Sequence, residues 1–168
     1  MKKILFLLLV ALAFVGCDER FMSWKEYNEE WLVAQRDKLG NDTNVIETQI
    51  LPSGVLIEKY HTGYGAIPKP SVDPVTQVSS VVVVKYTGWL VDGTRFDYND
   101  KASFYLHQVI SGWREAMSIM PQGSHWRVYI PSNKAYGESG SKGSYENFSV
   151  PPHSTLIFDI ELIDVKNF

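Results

Sequence analysis

The chain has 168 residues, 45% of them hydrophobic and 13% aromatic, which is enough for one full core plus an extension and too little for two independent domains. A formal charge of −3 with no clustered basic stretch argues against a nucleic-acid partner. The one cysteine, Cys17, excludes an intrachain disulfide and a multi-thiolate metal site.

Lys2 and Lys3 precede an uninterrupted apolar run from Ile4 to Val15, too short to span a bilayer and laid out as a secretory leader. Gly16-Cys17 closes the run in a pattern that resembles a bacterial lipobox, with Phe14 where an aliphatic residue is usual. The resemblance implies removal of residues 1–16 and lipidation of Cys17. The membrane is then a partner, and the protein is lipid-anchored on the exported side of a bacterial envelope. Residues 17–44 are expected to form the anchor and a helical spacer, and 45–168 the folded domain.

Trp24, Tyr27, Trp31 and Ala34 recur at i, i+3, i+7 and i+10, which predicts a helix with one apolar face, stopped at Gly40-Asn41. Packing of this helix on its own domain, or a spacer role, is favoured over a docking or dimerisation role. From Val45 the pattern becomes that of short strands. Residues 54–60 predict one strand, and Pro68, Pro70 and Pro74 confine 63–76 to an exposed loop.

Val82, Val84 and Tyr86 share one face of a half-buried strand, with Lys85 and Thr87 on the other. Asp92-Gly93 then predicts a tight hairpin turn whose returning limb brings Phe96 and Asp97 back near Tyr86. Asp97 is expected to be a buried carboxylate accepting a hydrogen bond from Tyr86. Residues 103–110 predict a short strand and its exit. A helix follows with Trp113, Ala116, Met117 and Met120 at helical spacing, Ser111 as its N-cap and Pro121-Gln122-Gly123 as its stop. Trp126, Val128 and Ile130 alternate on one strand, and Leu156, Phe158, Ile160 and Leu162 on another. Between them the glycine- and serine-rich stretch 136–149 predicts a surface loop. Together these elements give an α+β class: an antiparallel sheet with one helix on its apolar face.

Four blocks, V-K-Y-T-G-W-L-V-D-G-T-R-F-D at 84–97, V-I-S-G-W at 109–113, I-P-S-N-K-A-Y-G at 130–137 and V-P-P-H-S-T-L-I-F-D-I-E-L at 150–162, resemble the FKBP-type peptidyl-prolyl cis-trans isomerases, in family order. The resemblance implies a twisted antiparallel sheet of five to six strands wrapped around one short helix. It also implies an isomerase acting on proline-containing polypeptides, in a pocket floored by Trp113 and walled by Tyr86, Phe96, Asp97, Val109, Ile110, Tyr136, Val150 and Phe158. Of these, Asp97, Tyr86, Phe96 and Tyr136 would be catalytic, and Trp113, Val109, Ile110, Val150 and Phe158 would bind substrate. Two departures, Ala102 where the family often has an aromatic and the lack of an arginine beside Asp97, with Lys101 the nearest substitute, bear on catalytic strength and macrolide binding rather than on fold. The alternative reading is a weakly catalytic binding or chaperone module that uses the same pocket.

Singly, each of these aromatic residues looks like an ordinary core residue; the pocket reading comes from the set. Rotation about an X-Pro bond makes and breaks no covalent bond, so no nucleophile, cofactor or metal is expected. His61, His107, His125 and His153 lie on separate strands or loops, and none has a second ligand at i+2 to i+4.

Overall fold

The computed structural model describes residues 22–75, 78–142 and 150–168; Cys17 and its leader, and Tyr145 and Phe148 of the long loop, lie outside the described residues. Six strands form one antiparallel sheet in the order β1-β2-β5-β6-β3-β4. They are β1 (Glu47–Ile50), β2 (Leu56–His61), β3 (Val81–Leu90), β4 (Arg95–Tyr105), β5 (His125–Ile130) and β6 (Leu156–Lys166). Helix α1 (Trp24–Lys38) precedes the sheet, and α2 (Ser111–Met117) crosses its apolar face. The class is α+β.

Alternation along β3, β5 and β6 delivers Val82, Val84, Trp126, Val128, Ile130, Leu156, Ile160 and Leu162 to a single core, in which Ala116, Met117 and Met120 of α2 and its C-terminal turn are fully buried. Gly112 lets α2 approach the sheet, because a side chain there would meet Ile130 Cγ2 at 2.4 Å. Ser111 is the first residue of α2 rather than its cap. The N-cap is Ile110, without a capping side chain, and the Ser111 hydroxyl instead donates to the Lys134 carbonyl at 3.1 Å.

The β3–β4 hairpin turns where Asp92-Gly93 predicts, with Gly93 at φ +87° and the Leu90 amide bonded to the Thr94 carbonyl at 2.8 Å. Beyond the turn β4 runs unbroken to Tyr105, longer than the short strand expected at 103–110. Two irregularities interrupt its register. Tyr86 opposes Asn99 whereas Val84 opposes Ala102, and Gly88 opposes Asp97 whereas Trp89 opposes Arg95. The second leaves Phe96 as an extra residue, a β-bulge, and a bulge re-aims consecutive side chains that would otherwise point to opposite faces.

Helix α1 packs on the outer face of the sheet. A capping box formed by Ser23 and Glu26 starts it. Its inward residues are Trp24, Asn28, Trp31, Leu32 and Gln35: Trp24 and Trp31 lie on the face expected, whereas Tyr27 and Ala34 are exposed and Asn28 is buried. Apolarity marked the wrong edge of this face because its central contact is an amide. Trp31 meets Tyr129 with ring centroids 6.0 Å apart, so the outer surfaces of β2 and β5 are covered as well. There Glu58, only 3% exposed, accepts hydrogen bonds from the Tyr129 hydroxyl at 2.7 Å and the Gly40 amide at 3.0 Å.

Candidate functional site

Where β3, β4, β6 and the start of α2 converge, a cavity of about 240 Å³ opens to solvent, lined by Tyr86, Asp97, Phe104, Gln108, Val109, Ile110, Trp113, Tyr136 and Phe158. Trp113, at the first turn of α2 and 4% exposed, is its floor. Three rings stand nearly perpendicular to the indole: Tyr86 at 5.2 Å, Phe104 at 5.8 Å and Phe158 at 5.1 Å between centroids. Edge-to-face contacts of this kind place the positive ring edge against the negative face and hold the floor rigid. The indole Nε1 is buried with no hydrogen-bond partner among the described residues.

Gly88 explains how the rings close together. A side chain there would meet Phe158 Cε1 and Phe96 Cζ, both at 2.8 Å, so only glycine lets the two phenyl groups lie over the strand. Phe96 stands behind this wall. It is buried and T-shaped to Phe158 at 5.5 Å, supporting Phe158 without itself lining the cavity. Val150 also lies apart from the lining. It is buried in the core cluster and paired with Ser141 by two backbone hydrogen bonds of 2.8 Å.

At the mouth the Tyr86 hydroxyl donates to Asp97 Oδ2 at 2.8 Å. Asp97 is exposed, contrary to the expectation of a buried carboxylate, because the bulge at Phe96 turns it to the rim of the sheet; no burial cost demands a cation beside it. Lys101 forms no ion pair with it among the described residues. Burial, then the hydrogen bond to Asp97, push the Tyr86 phenol well above its ordinary pKa, so it remains a donor. Tyr136 is 38% exposed, and its phenol is likewise raised, by burial first and the Asp97 charge second. Neither its hydroxyl nor the Ile110 amide has a partner among the described residues, which leaves two donors facing one apolar cup.

Phe104 and Gln108 line the cavity without having been predicted in it. Phe104 shares the inward parity of Ala102 and opposes Val82, a signal readable once the register of β4 is known. Gln108 lies in the one-turn 3-10 segment Leu106–Gln108, for which the sequence carries no periodic signal. Among the described residues no group of three His, Cys, Asp or Glu is arranged to hold a metal.

A family profile of FKBP-type peptidyl-prolyl cis-trans isomerases matches residues 74–163. The chain belongs to the FKBP family. The FKBP relatives it resembles include the outer membrane protein MIP of Legionella longbeachae, 42% identical over 70% of this chain and 46% of the relative. Another is the isomerase FkpA of Aeromonas hydrophila, 37% identical over 82% of this chain and 45% of the relative. The chain spans about half the length of these curated relatives. Among solved FKBP structures, FkpA from Escherichia coli superposes with a TM-score of 0.69 at 33% identity, covering 85% of this chain and 61% of that one. An isomerase from Pseudomonas syringae gives 0.62 at 33% identity, covering 83% and 96%.

Proposed function

We propose that this FKBP chain catalyses cis-trans isomerisation of X-Pro bonds in exported polypeptides. The observation that carries the reading is the cup over Trp113 walled by the rings of Tyr86, Phe104 and Phe158. Twisting the amide breaks resonance against a barrier of about 18–20 kcal/mol. The twisted carbonyl is less polar than the planar one, so a dry apolar site favours it over both ground states, with no covalent intermediate. The proline ring would stack on Trp113 between Phe158 and Phe104, while the Tyr136 hydroxyl and the Ile110 amide donate to substrate carbonyls and hold the peptide. Asp97 would fix the Tyr86 hydroxyl and present its exposed edge to the turning carbonyl.

The test is the exchange rate of a short Leu-Pro or Phe-Pro peptide with the purified mature chain. Acceleration that Asp97→Ala diminishes supports the reading, and a rate equal to the uncatalysed one refutes it.

That none of the described residues forms an ion pair with Asp97 favours a second reading, a binding or chaperone module of weak catalytic power. Unaltered proline exchange together with saturable binding of an unfolded, proline-containing client would establish it.

An envelope location is supported by the leader-like N-terminus and by the relative named as an outer membrane protein. Lipidation of Cys17 is the proposed means of attachment; no described helix is long and apolar enough to cross a membrane. Cys17→Ala should release the protein from the membrane fraction, and unchanged fractionation and processing would rule the anchor out.

A further inference from the structure

Asn28 is the one buried residue of α1, at 1% exposure, and its amide reaches far along the chain. Its Oδ1 accepts from the Thr155 amide at 2.7 Å, and its Nδ2 donates to the Trp24 carbonyl at 2.8 Å. Thr155 is buried and immediately precedes β6, where no neighbouring strand takes its N–H; the asparagine supplies the acceptor. One turn earlier, Trp24 Nε1 donates to Ser154 Oγ at 2.9 Å, and Ser154 Oγ donates to the Pro151 carbonyl at 2.8 Å. Helix α1 therefore grips the strap 150–155 through two side chains.

That strap leads to the pocket in both directions along the chain. Downstream, Phe158 in the pocket wall lies three positions after Thr155. Upstream, the His153 amide donates to the Gly137 carbonyl at 2.8 Å, and Gly137 follows Tyr136. The contact between strap and loop is close: at Gly140 a side chain would meet the Val150 carbonyl oxygen at 2.3 Å. Tyr136 is thus held between the turn at Ser132, whose carbonyl accepts from Gly137 at 2.8 Å, and a strap that α1 grips through Asn28 and Trp24.

We propose that Asn28 and Trp24 are positioning residues of the pocket, through which α1 sets the placement of Tyr136 by way of the 150–155 strap. The proposal rests on the isomerase reading for its effect on turnover, while its structural half stands independently. Rigid placement of a hydrogen-bond donor matters because a displacement of about 1 Å at a binding group lowers productive binding severely. Packed and hydrogen-bonded groups can carry coupling over this distance, and the series Asn28, Thr155, His153, Gly137 is such a set.

The experiment uses the full mature chain with Asn28→Ala and, separately, Trp24→Phe, which keeps a ring and removes the indole donor. Residue-resolved amide exchange is read at Ser141, Val150 and His153, with Tyr86 and Ile160 in the sheet as references, alongside KM and kcat for a short proline peptide. We expect exchange at the three strap and loop amides to rise at least tenfold with the references unchanged, and KM to rise several-fold with kcat nearly constant. Faster exchange confined to Thr155, or spread equally over the sheet, would overturn the proposal. So would loosening of the strap with KM unchanged. If the wild-type chain shows no isomerisation, the functional reading fails, whereas the exchange measurement still decides whether α1 orders the strap.

Discussion

The Tyr86 hydroxyl and the Asp97 carboxylate, eleven residues apart, meet at 2.8 Å across the mouth of the cavity although Gly88, not Tyr86, is the register partner of Asp97. The pair is therefore diagonal, and it depends on the bulge that turns Asp97 toward the cup. Because Asp97 is exposed, the pair can face a ligand without a large burial cost.

Asp97→Asn keeps an acceptor for Tyr86 and removes the charge. Isomerisation should fall about tenfold or more, the scale of a charged hydrogen bond of about 1.5–3 kcal/mol, while urea stability changes by about 0.5 kcal/mol or less. A loss of stability matching the loss of activity would show that the pair serves the fold instead.

Gly88→Ala should drive Phe96 and Phe158 apart, since both rings lie 2.8 Å from the added carbon. The expected cost is about 1–3 kcal/mol in urea unfolding, together with lost affinity for a proline peptide. An unchanged unfolding midpoint would mean that the wall is softer than its geometry implies.

Gln108→Ala should raise KM a few-fold and leave stability within about 0.5 kcal/mol, because Gln108 lines the cavity from a one-turn 3-10 segment and supports no strand. Phe104→Leu is expected to cost about 1–2 kcal/mol as well, since it removes a ring stacked edge-on to Trp113. Peptide titration and urea unfolding separate the two outcomes.

Stability should also fall in alkali. Burial is the first cause that raises the phenols of Tyr60, Tyr86 and Tyr129, with Tyr60 pushed up to about 12. Unfolded tyrosines ionise near 10.0, so above that pH the unfolded chain releases protons that the folded chain retains. The stabilisation is complete below about pH 10 and is lost as pH rises through the folded values. The urea midpoint should stay level up to about pH 10 and drop beyond it. Tyr129→Phe should lower the neutral-pH midpoint, because Glu58 loses a donor, and make the alkaline slope shallower.

The parts of this molecule that could be read from its residues are those governed by an uninterrupted period. Val82, Val84 and Tyr86 and the alternation from Leu156 to Leu162 lie where period two places them, and the turn at Gly93 where Asp92-Gly93 does. What escaped reading involves a break in period or a polar contact. The bulges of β4 shift its parity, which hid the place of Phe104 in the cavity and put Asp97 at an exposed rim rather than in a buried site. The inward stripe of α1 was misplaced because Asn28 does what a leucine ordinarily would. Glu58 and Tyr129 occupy the strand face that alternation assigns to solvent, and α1 covers it. Phe96 and Val150 are expected in the pocket wall and are buried beside it instead; adjacency in sequence does not say which side chain faces the void and which lies behind it.

The extra residue at Phe96 gives the hairpin a reading frame. Deleting Arg95 or Phe96 would leave a regular ladder in which Asp97 still opposes Gly88, but consecutive side chains would then point to opposite faces, so the ring behind Phe158 and the carboxylate beside Tyr86 could not both be kept. A change of length in the four steps from Gly93 to Asp97 is accordingly expected to be poorly tolerated, because the count there decides whether ring and carboxylate share one side of the strand.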